Sequence, residues 1–220
     1  MCGIIGYVNH GVTKEDMQVL KQVFLESRIR GKHASGLAWF DGHKIQSYVK
    51  PVPIDVLLED FDLSKTIYKN REIAIIGHTR YSTSDIKYNQ PLVGNEVAIA
   101  HNGVISQDSP ENWKKLYGYK CKTKNDSELL LRALEQHDDP MKKFPRASIA
   151  AVVLNMRGQV YCLRNELRPV WQGTIGYGVV MASTYDILHR AGVKNIRKVD
   201  YEGLEQDLQR RDITQWTPRN

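Results

Sequence analysis

The sequence predicts a single domain in which short β-strands alternate with a few α-helices. The chain has 220 residues, of which 41% are hydrophobic and 25% charged, a composition typical of a globular domain with a sizeable core. Two turns, Asp41-Gly42 and Arg157-Gly158, each separate apolar runs at hairpin spacing. Because the sequence shows no Ser-, Gly- or Pro-rich linker and no internal repeat, we expect one domain with at least six strands.

The first part of the chain predicts strands and two helices. Residues 2–8 are apolar and rich in Gly and Ile, which favours a buried strand. A Thr and an Asp three residues apart have the spacing of a helix start, and apolar residues then recur at helical intervals, which predicts a helix over 13–28. A hairpin is predicted over 35–49. A short helix over 54–60 follows two prolines.

The remaining part of the chain predicts further strands and one more helix. The strands cover residues 73–76, 97–100, 148–154, 159–164 and 178–183. Apolar residues at helical spacing predict a helix over 126–137. The first two of these strands each run directly into a polar motif, so these motifs are the first candidates for a functional site.

Charge and cysteine content limit the classes of protein. With 31 basic and 25 acidic residues the formal net charge is +6, which permits contact with nucleic acid but does not require it. The three cysteines are scattered and form no CxxC pair, so neither a disulfide framework nor a zinc site of that type is predicted. His33 and His78 lie within motifs, but nothing places either as a metal ligand, so we expect both to be structural. We therefore expect no metal and no cofactor.

Targeting signals are also missing from the sequence pattern. The longest clean apolar run, residues 149–154, is far shorter than the about 18 residues that a membrane-spanning helix needs. The first dozen residues carry no Lys or Arg and no sustained apolar region, unlike a secretory signal. The expectation is a cytoplasmic protein with a domain over 1–205 and a polar peripheral tail over 206–220.

The most unusual feature is a cysteine at position 2. Removal of the initiator Met1 leaves Cys2 with a free α-amino group beside its own thiol. The reference pKa values of these groups are about 7.7–8.0 and about 8.5, so one residue supplies a base and a nucleophile near neutral pH. The alternative is a small buried side chain at the start of a strand.

Three polar motifs adjoin predicted strands or begin a helix. Arg80 follows an apolar strand and can pair with a carboxylate, or form an ordinary surface ion pair. The Asn102 amide and the Gly103 N–H can converge on one oxygen, as an oxyanion requires, although Asn-Gly is also a common turn. Asp126 stands at a helix start, where N-capping alone explains an acidic residue.

Taken together and in this order, the motifs resemble the class II glutamine amidotransferase domain, an N-terminal-nucleophile hydrolase. They are Met1 to Gly6, Arg30-Gly31 with Ala34-Ser35-Gly36, Gly77 to Thr83, His101-Asn102-Gly103 and Asp126-Ser127-Glu128. The resemblance extends through the later strands and so covers most of the chain. It implies an α+β fold, a four-layer αββα sandwich of two antiparallel sheets.

The resemblance also implies a reaction and its main residues. Cys2 attacks the side-chain carboxamide of L-glutamine and forms a thioester, which water hydrolyses to glutamate. The Asn102 amide and the Gly103 N–H hold the oxyanion. Arg80 binds the α-carboxylate of glutamine and Asp126 binds its α-ammonium group.

Two supporting residues and two departures from the family pattern complete the comparison. Thr83 matches a position that hydrogen-bonds the substrate, and Arg30 matches one that supports the nucleophile loop. Tyr81 stands where glucosamine-6-phosphate synthase has a tryptophan. Ser84-Asp85 replaces the His-Gly or Ala-Gly of the family, which implies a different closure over the glutamine site.

The family usually carries an ammonia-using domain on the same chain. Nothing after about residue 205 resembles one, so we expect delivery of ammonia to a separate acceptor-site protein. Two alternatives stay open: an N-terminal-cysteine amidase that cuts another amide, and an inactive glutamine-binding regulatory module. The pair Arg80 and Asp126 argues against the first, and the complete set of site residues argues against the second.

A lysine-rich segment suggests a third possibility. Residues 112–124 contain five lysines and no acid, interleaved with Trp113, Tyr117 and Tyr119. Basic residues with aromatic neighbours bind single-stranded nucleic acid by charge and stacking. The alternative, favoured on this pattern, is a solvated segment between two motifs.

Overall fold

The computed structural model describes residues 2–81 and 87–200, and these residues form four layers. The strands are β1 (Gly3–His10), β2 (Ala34–Phe40), β3 (Ile45–Lys50), β4 (Ile67–Tyr68), β5 (Glu72–Arg80), β6 (Leu92–Val93), β7 (Val97–His101), β8 (Ala150–Asn155), β9 (Val160–Arg164), β10 (Trp171–Ile175), β11 (Gly178–Ala182) and β12 (Lys194–Lys198). The helices are α1 (Lys14–Glu26), α2 (Ile54–Asp60), α3 (Trp113–Tyr117), α4 (Ser127–Glu135), α5 (Pro140–Lys143) and α6 (Tyr185–Arg190). The predictions for Thr83, for Ser84-Asp85 and for the tail over 206–220 lie outside the described residues.

The strands form two antiparallel sheets. The larger sheet has the order β12-β10-β11-β1-β5-β2-β3, with the short β4 paired to the start of β5. The smaller sheet has the order β6-β7-β8-β9. β1 and β5 occupy the middle of the larger sheet, and β7 and β8 the middle of the smaller one. The residues that follow these strands therefore leave each sheet from its central strands and not from an outer strand.

Three apolar clusters fill the three interfaces between the layers. The cluster between the larger sheet and helices α1, α2 and α6 includes Tyr7, Leu20, Phe24, Leu57, Ile75 and Ile187. The cluster between the two sheets includes Ile4, Ile76, Ala100, Val152 and Met181. The cluster between the smaller sheet and helices α3, α4 and α5 includes Ile99, Trp113, Leu130, Phe144 and Val153. This succession confirms the predicted four-layer αββα sandwich.

The central strands are apolar on both faces because each face is covered. On β5, Ile73 and Ile75 point to the helix layer, whereas Ala74 and Ile76 point to the other sheet. Successive side chains of a strand alternate between faces, so a strand buried on both faces has a continuous apolar sequence. The predicted strand over 73–76 is the central part of β5 and is confirmed.

The predicted helix over 13–28 is observed as α1 and has a capping box at its start. The Thr13 hydroxyl accepts a hydrogen bond from the Asp16 N–H at 3.1 Å, and the Asp16 carboxylate accepts one from the Thr13 N–H at 2.9 Å. Both groups satisfy N–H donors that a helix leaves unpaired in its first turn. After Glu26 the chain tightens into a 3₁₀ turn over Ser27–Arg30.

The expectation of at least six strands is met, but the pattern of the sequence does not predict β10 and β12. β10 has Gly173 at its centre, where a Cβ would lie 2.5 Å from Val193. β12 is an edge strand in which four of the five residues are exposed. β12 has neither the apolar run nor the alternation on which the prediction of a strand depends, and in β10 the central glycine interrupts an alternation of apolar and polar residues.

No helix in the described ranges combines the length and the apolar surface needed to pass through a bilayer.

The capping box of α1 gives a test of the fold. Thr13→Ala removes the side-chain acceptor, and we expect the free energy of unfolding to fall by about 1 kcal/mol. Thr184→Ala is a matched control, because Thr184 stands at the N-cap of α6 without a side-chain capping bond. Urea denaturation of both variants makes the comparison. Equal losses in the two variants would contradict the assignment.

Candidate active site

The register between β1 and β5 sets the position of the predicted nucleophile. Gly3 lies opposite Thr79 in the antiparallel pair, so Cys2 and Arg80 come to the same edge of the larger sheet. β7 of the smaller sheet ends at His101, directly before Asn102. The two sheets pack face to face, and their strand ends meet at this edge.

Five predicted site residues line one cavity of about 470 Å³ at this edge. They are Cys2, Arg80, Asn102, Gly103 and Asp126. Arg30 is not part of the lining, but its Cβ lies 3.1 Å from the position that a Cβ on Gly3 would occupy. Arg30 therefore lies beside the chain next to Cys2, and the supporting role that the resemblance implies for it stays a prediction. Thr83 is not among the described residues.

Cys2 is held at the cavity by the fit of the next residue into the sheet. Its Sγ lies 4.0 Å from the Tyr81 carbonyl oxygen, and the residue is partly exposed. A Cβ on Gly3 would lie 2.4 Å from the Thr79 hydroxyl oxygen, which itself donates a hydrogen bond to the Ser27 carbonyl at 2.9 Å. Only glycine fits at position 3 without moving this contact.

The Asn102-Gly103 segment lines the cavity between two backbone hydrogen bonds. The Asn102 N–H donates to the Ala150 carbonyl at 2.8 Å, and the Val104 N–H donates to the Ser148 carbonyl at 3.0 Å. Between these anchors, no protein acceptor in the described part of the chain takes up the Gly103 N–H or the Asn102 side-chain amide. Two such donors can stabilise an oxyanion.

Glycine is also required at position 103, because there is no space for a side chain. A Cβ at this position would lie 1.8 Å from the Ser148 carbonyl oxygen and 2.7 Å from His101 Nε2. The Asn-Gly pair is therefore not an ordinary exposed turn. It lies where the chain after β7 packs closely against the chain before β8.

The two charged residues predicted to bind the substrate are held by local backbone and side-chain contacts. Arg80 donates from Nη1 to the Tyr88 carbonyl at 2.7 Å and to Asn89 Oδ1 at 2.8 Å. Asp126 Oδ2 accepts from the N–H groups of Ile105 and Ser106 at 2.6 and 3.3 Å. These contacts hold a cation and an anion at one cavity, an arrangement that suits a ligand with both charges.

His78 borders the same cavity and is fully buried. Burial lowers its pKa to about 3; the charges of the neighbouring His101 and Arg80 lower this pKa too, and contact with the His101 backbone raises it. The imidazole is therefore neutral at physiological pH. Neither ring nitrogen has a partner among the residues described. The sequence predicts a structural role for His78, and nothing in its motif signals a place on the cavity wall.

Arg168 is a cavity residue that the sequence does not predict. It lies on the loop between β9 and β10, far in sequence from the motifs. The buried Arg164 holds this loop by donating from Nε to the Arg168 carbonyl at 2.9 Å. Burial lowers the pKa of Arg30, the nearby Cys2 raises it, and Arg168 lowers it. Arg30 and Arg168 thus place positive charge at the Cys2 end of the site.

The lysine-rich segment does not present its aromatic residues for stacking. Trp113 is 2% exposed and Tyr119 1%, and both belong to the apolar cluster under α3, α4 and α5. The Trp113 indole N–H donates to the Asp108 carbonyl at 2.9 Å. The interpretation of this segment as a stacking surface for nucleic acid is wrong for these two rings, because they complete the core of the domain.

Within residues 2–81 and 87–200, no group of three or more His, Cys, Asp and Glu side chains has the arrangement of a metal site.

Comparison with known proteins identifies a sequence relative. No family model matches the chain. The glutamine–fructose-6-phosphate aminotransferase (isomerizing) of Oceanobacillus iheyensis is 26% identical over 156 residues, which cover 67% of this chain and 25% of that protein. The chain thus spans about a quarter of the length of this curated relative.

Two solved structures share the fold. The glutamine phosphoribosylpyrophosphate amidotransferase of B. subtilis, solved with ADP and GMP, matches 90% of this chain and 45% of its own, with a TM-score of 0.66 and 24% identity. The allosteric regulatory enzyme of purine biosynthesis matches the same shares, with a TM-score of 0.65 and 23% identity. Each solved chain is therefore more than twice as long as the part that matches.

The chain shares the fold of these two solved structures, with two antiparallel sheets between two layers of helices. The sequence relative and the solved structures agree with the resemblance to the class II glutamine amidotransferase domain that the sequence motifs carry. The resemblance that the sequence motifs predict is confirmed at this level.

The three cysteines differ in environment, which gives a test of the site. Burial raises the pKa of Cys121 to about 11, with Glu128 adding to the rise, and burial raises the pKa of Cys162 to about 12. A raised thiol pKa leaves less of the reactive thiolate, about 0.1% at pH 8 for Cys121. We expect iodoacetamide at pH 8 to modify Cys2 first, as measured by peptide mass spectrometry.

Raising the pH to about 10 should speed modification of Cys121 by about 100-fold, because the thiolate fraction rises tenfold per pH unit below the pKa. The variant Cys2→Ser should lack the fast reaction. Modification of Cys121 at pH 8 as fast as that of Cys2 would contradict the described environments.

Proposed function

We propose that this chain hydrolyses L-glutamine to glutamate and ammonia through a thioester on Cys2. The ammonia then passes to an acceptor site on a separate protein. The observation that carries the proposal is the convergence of Cys2, Arg80, Asn102, Gly103 and Asp126 on one cavity. These residues come from separate parts of the chain and from both sheets, and the reaction needs all of them.

The reaction begins at the sulfur of Cys2. After removal of Met1, the α-amino group of Cys2 takes the thiol proton, and the thiolate attacks the carboxamide carbon of glutamine. The Asn102 amide and the Gly103 N–H donate to the oxyanion that forms. When the intermediate collapses, the C–N bond breaks and the α-ammonium group returns its proton to the leaving ammonia. Water then hydrolyses the thioester, with the free amine again as base.

Recognition of the substrate follows from the charges of the cavity. Free glutamine carries an α-carboxylate and an α-ammonium group, which match Arg80 and Asp126. A bidentate arginine–carboxylate pair is stronger and more directional than a neutral hydrogen bond. An N-terminal-cysteine amidase acting on an acylated amino acid would not need Asp126, because its substrate lacks the free ammonium group.

Support for an acceptor site elsewhere comes from chemistry and from the fold. Ammonia in water at neutral pH is mostly ammonium, which is not a nucleophile, so a useful transfer needs a route that excludes water. Every helix and strand of the described residues belongs to the four-layer domain, so the proposed acceptor site lies outside this domain. The names of the sequence relative and of the B. subtilis enzyme each pair glutamine with a second substrate.

Reaction with a glutamine-like electrophile tests the proposal directly. We expect 6-diazo-5-oxonorleucine to add once to the mature protein, at Cys2, and the purified protein to convert glutamine to glutamate. Cys2→Ala should abolish both reactions, whereas Cys121→Ala should preserve them. Intact-mass and peptide mass spectrometry locate the adduct and show whether Met1 has been removed.

Several outcomes would overturn this proposal. Labelling at Cys121 instead of Cys2, or hydrolysis of acyl-amino acids in preference to glutamine, would favour a different amidase. No reaction with glutamine or the electrophile, at a mature Cys2 N-terminus, would favour an inactive glutamine-binding module. Amination of a carbonyl or activated acid by the purified chain alone would exclude the separate acceptor protein.

The oxyanion donors and the head-group ligands should affect different kinetic constants. Asn102→Ala should lower kcat by about 10²–10³ with little change in KM, because the donor acts in the transition state. Asp126→Asn should mainly raise KM, because it weakens binding of the α-ammonium group in every bound state. Steady-state glutaminase kinetics make the comparison.

Asn95→Ala is the matched control, since Asn95 is exposed in the turn between β6 and β7. Its kcat and KM should equal those of the unmodified sequence. A rise in KM for Asn102→Ala without a fall in kcat would argue against the oxyanion role.

A further inference from the structure

Beneath the Asn102-Gly103 segment lies a closed ring of buried hydrogen bonds. The backbone N–H of His101 donates to Gln90 Oε1 at 2.7 Å, and Gln90 Nε2 donates to the Ser127 hydroxyl oxygen at 3.1 Å. Ser127 Oγ and His101 Nδ1 are 2.9 Å apart, which closes the ring. Gln90 is 6% exposed, and His101 and Ser127 are each 2% exposed.

The ring defines the state of the His101 imidazole. Burial lowers the pKa of His101, so its imidazole is neutral and carries one proton. His101 Nε2 lies 3.3 Å from the Ser148 carbonyl oxygen, which can only accept, so the proton is on Nε2. Nδ1 then accepts from the Ser127 hydroxyl, which in turn accepts from Gln90. Every donor in this ring of hydrogen bonds meets an acceptor.

The same imidazole supports the segment that carries the two oxyanion donors. His101 precedes Asn102 directly, and its Nε2 lies 2.7 Å from the position of a Cβ on Gly103. Ser148, the acceptor of the Nε2 proton, also accepts from the Val104 N–H through its carbonyl and its hydroxyl, both at 3.0 Å. His101 and Ser148 therefore hold the segment before and after Gly103.

We propose that His101 is a positioning residue for glutamine hydrolysis, which holds the Asn102 and Gly103 donors through its Nε2–H bond to Ser148. Ser127 fixes the required tautomer by donating to Nδ1. This inference rests on the function proposed above. His101 borders the cavity, but both of its ring nitrogens are engaged by the protein, so the ring neither binds substrate nor exchanges a proton with it.

Two substitutions distinguish the roles of the two imidazole nitrogens of His101. In His101→Gln the side-chain amide nitrogen takes the place of Nε2 and can still donate to Ser148. In His101→Asn the amide takes the place of Nδ1 and cannot reach Ser148. We expect His101→Asn to lower kcat by about 10²-fold, the size of effect that a misplacement of about 1 Å has on a reaction, with KM within about twofold. His101→Gln should restore at least a tenth of the original kcat.

Ser127→Ala tests the tautomer. Without the hydroxyl, the imidazole proton is no longer confined to Nε2, so we expect a fall in kcat of about 10-fold at unchanged KM. In the His101→Gln background the same change should have almost no further effect, because glutamine has no alternative tautomer. Such non-additivity identifies residues that act through one another.

A control separates positioning from loss of stability. Val153→Ala makes a cavity in the smaller sheet, two residues from Ala151, the inter-strand partner of His101. None of the hydrogen bonds of the ring involves Val153. At a temperature where each variant is folded by circular dichroism, Val153→Ala should keep its kcat although its Tm is lowered. A fall in kcat that follows Tm across all variants would overturn the inference.

The outcomes also separate this inference from the proposed function. If the original sequence neither hydrolyses glutamine nor reacts with 6-diazo-5-oxonorleucine, the proposed function fails, and the inference that rests on it fails too. If the original sequence is active and His101→Asn retains its kcat, only the role of His101 is overturned. If His101→Gln and His101→Asn lose kcat equally, the Nε2 bond to Ser148 is not the contact that matters.

Discussion

The antiparallel register between β1 and β5 is the constraint on which the candidate site depends. It places Gly3 opposite Thr79 and so brings Cys2 and Arg80 to one edge of the larger sheet. A slip of one residue would exchange the two faces of a strand, and both faces of β5 are packed against apolar layers. The Thr79 hydroxyl occupies the space that a side chain at position 3 would need. Packing in the centre of the domain thus determines where the nucleophile lies.

The smaller sheet positions the other part of the site, Asn102 and Gly103, in a different way. β7 is apolar on both faces up to Ala100, and the polar residues begin only where the strand leaves the sandwich. At that point a buried polar group must find partners, since an unpaired one costs about 1–3 kcal/mol. His101 finds them in Gln90, Ser127 and Ser148. The requirement to satisfy buried polar groups and the requirement to hold Asn102 and Gly103 are therefore met by the same contacts.

The sequence predicted those parts of the fold that local interactions determine. The capping box of Thr13 and Asp16 is local, and so is the turn in which Asp41 accepts from the N–H groups of His43 and Lys44. β12 is held by pairing with β10 at an exposed edge, and its own residues carry no signal for a strand. The site motifs were recognised because their order along the chain is specific, not because any one of them defines a site.

Contacts between distant segments account for what the sequence did not predict. Trp113 and Tyr119 lie among lysines in sequence, yet they pack against a sheet formed by residues 92–101 and 150–164. Arg168 lies at the cavity on a loop that Arg164 holds, and the resemblance covers both residues without giving either one a role. The ring of Gln90, His101 and Ser127 joins three segments whose sequences each have a simpler explanation. These contacts form only when the layers pack together, so no single segment of the sequence predicts them.

The charges of the cavity depend on keeping its two histidines neutral. An unfolded histidine binds a proton below pH about 6.5, whereas His78 in the folded protein does so only near pH 3. Between these values the unfolded chain binds more protons than the folded one, so stability falls as the pH is lowered through this window. This loss of acid stability accompanies a useful property at neutral pH. Because neither imidazole adds a positive charge, the charges that a bound substrate meets come from the arginine, lysine and aspartate side chains of the cavity, among them Arg80 and Asp126.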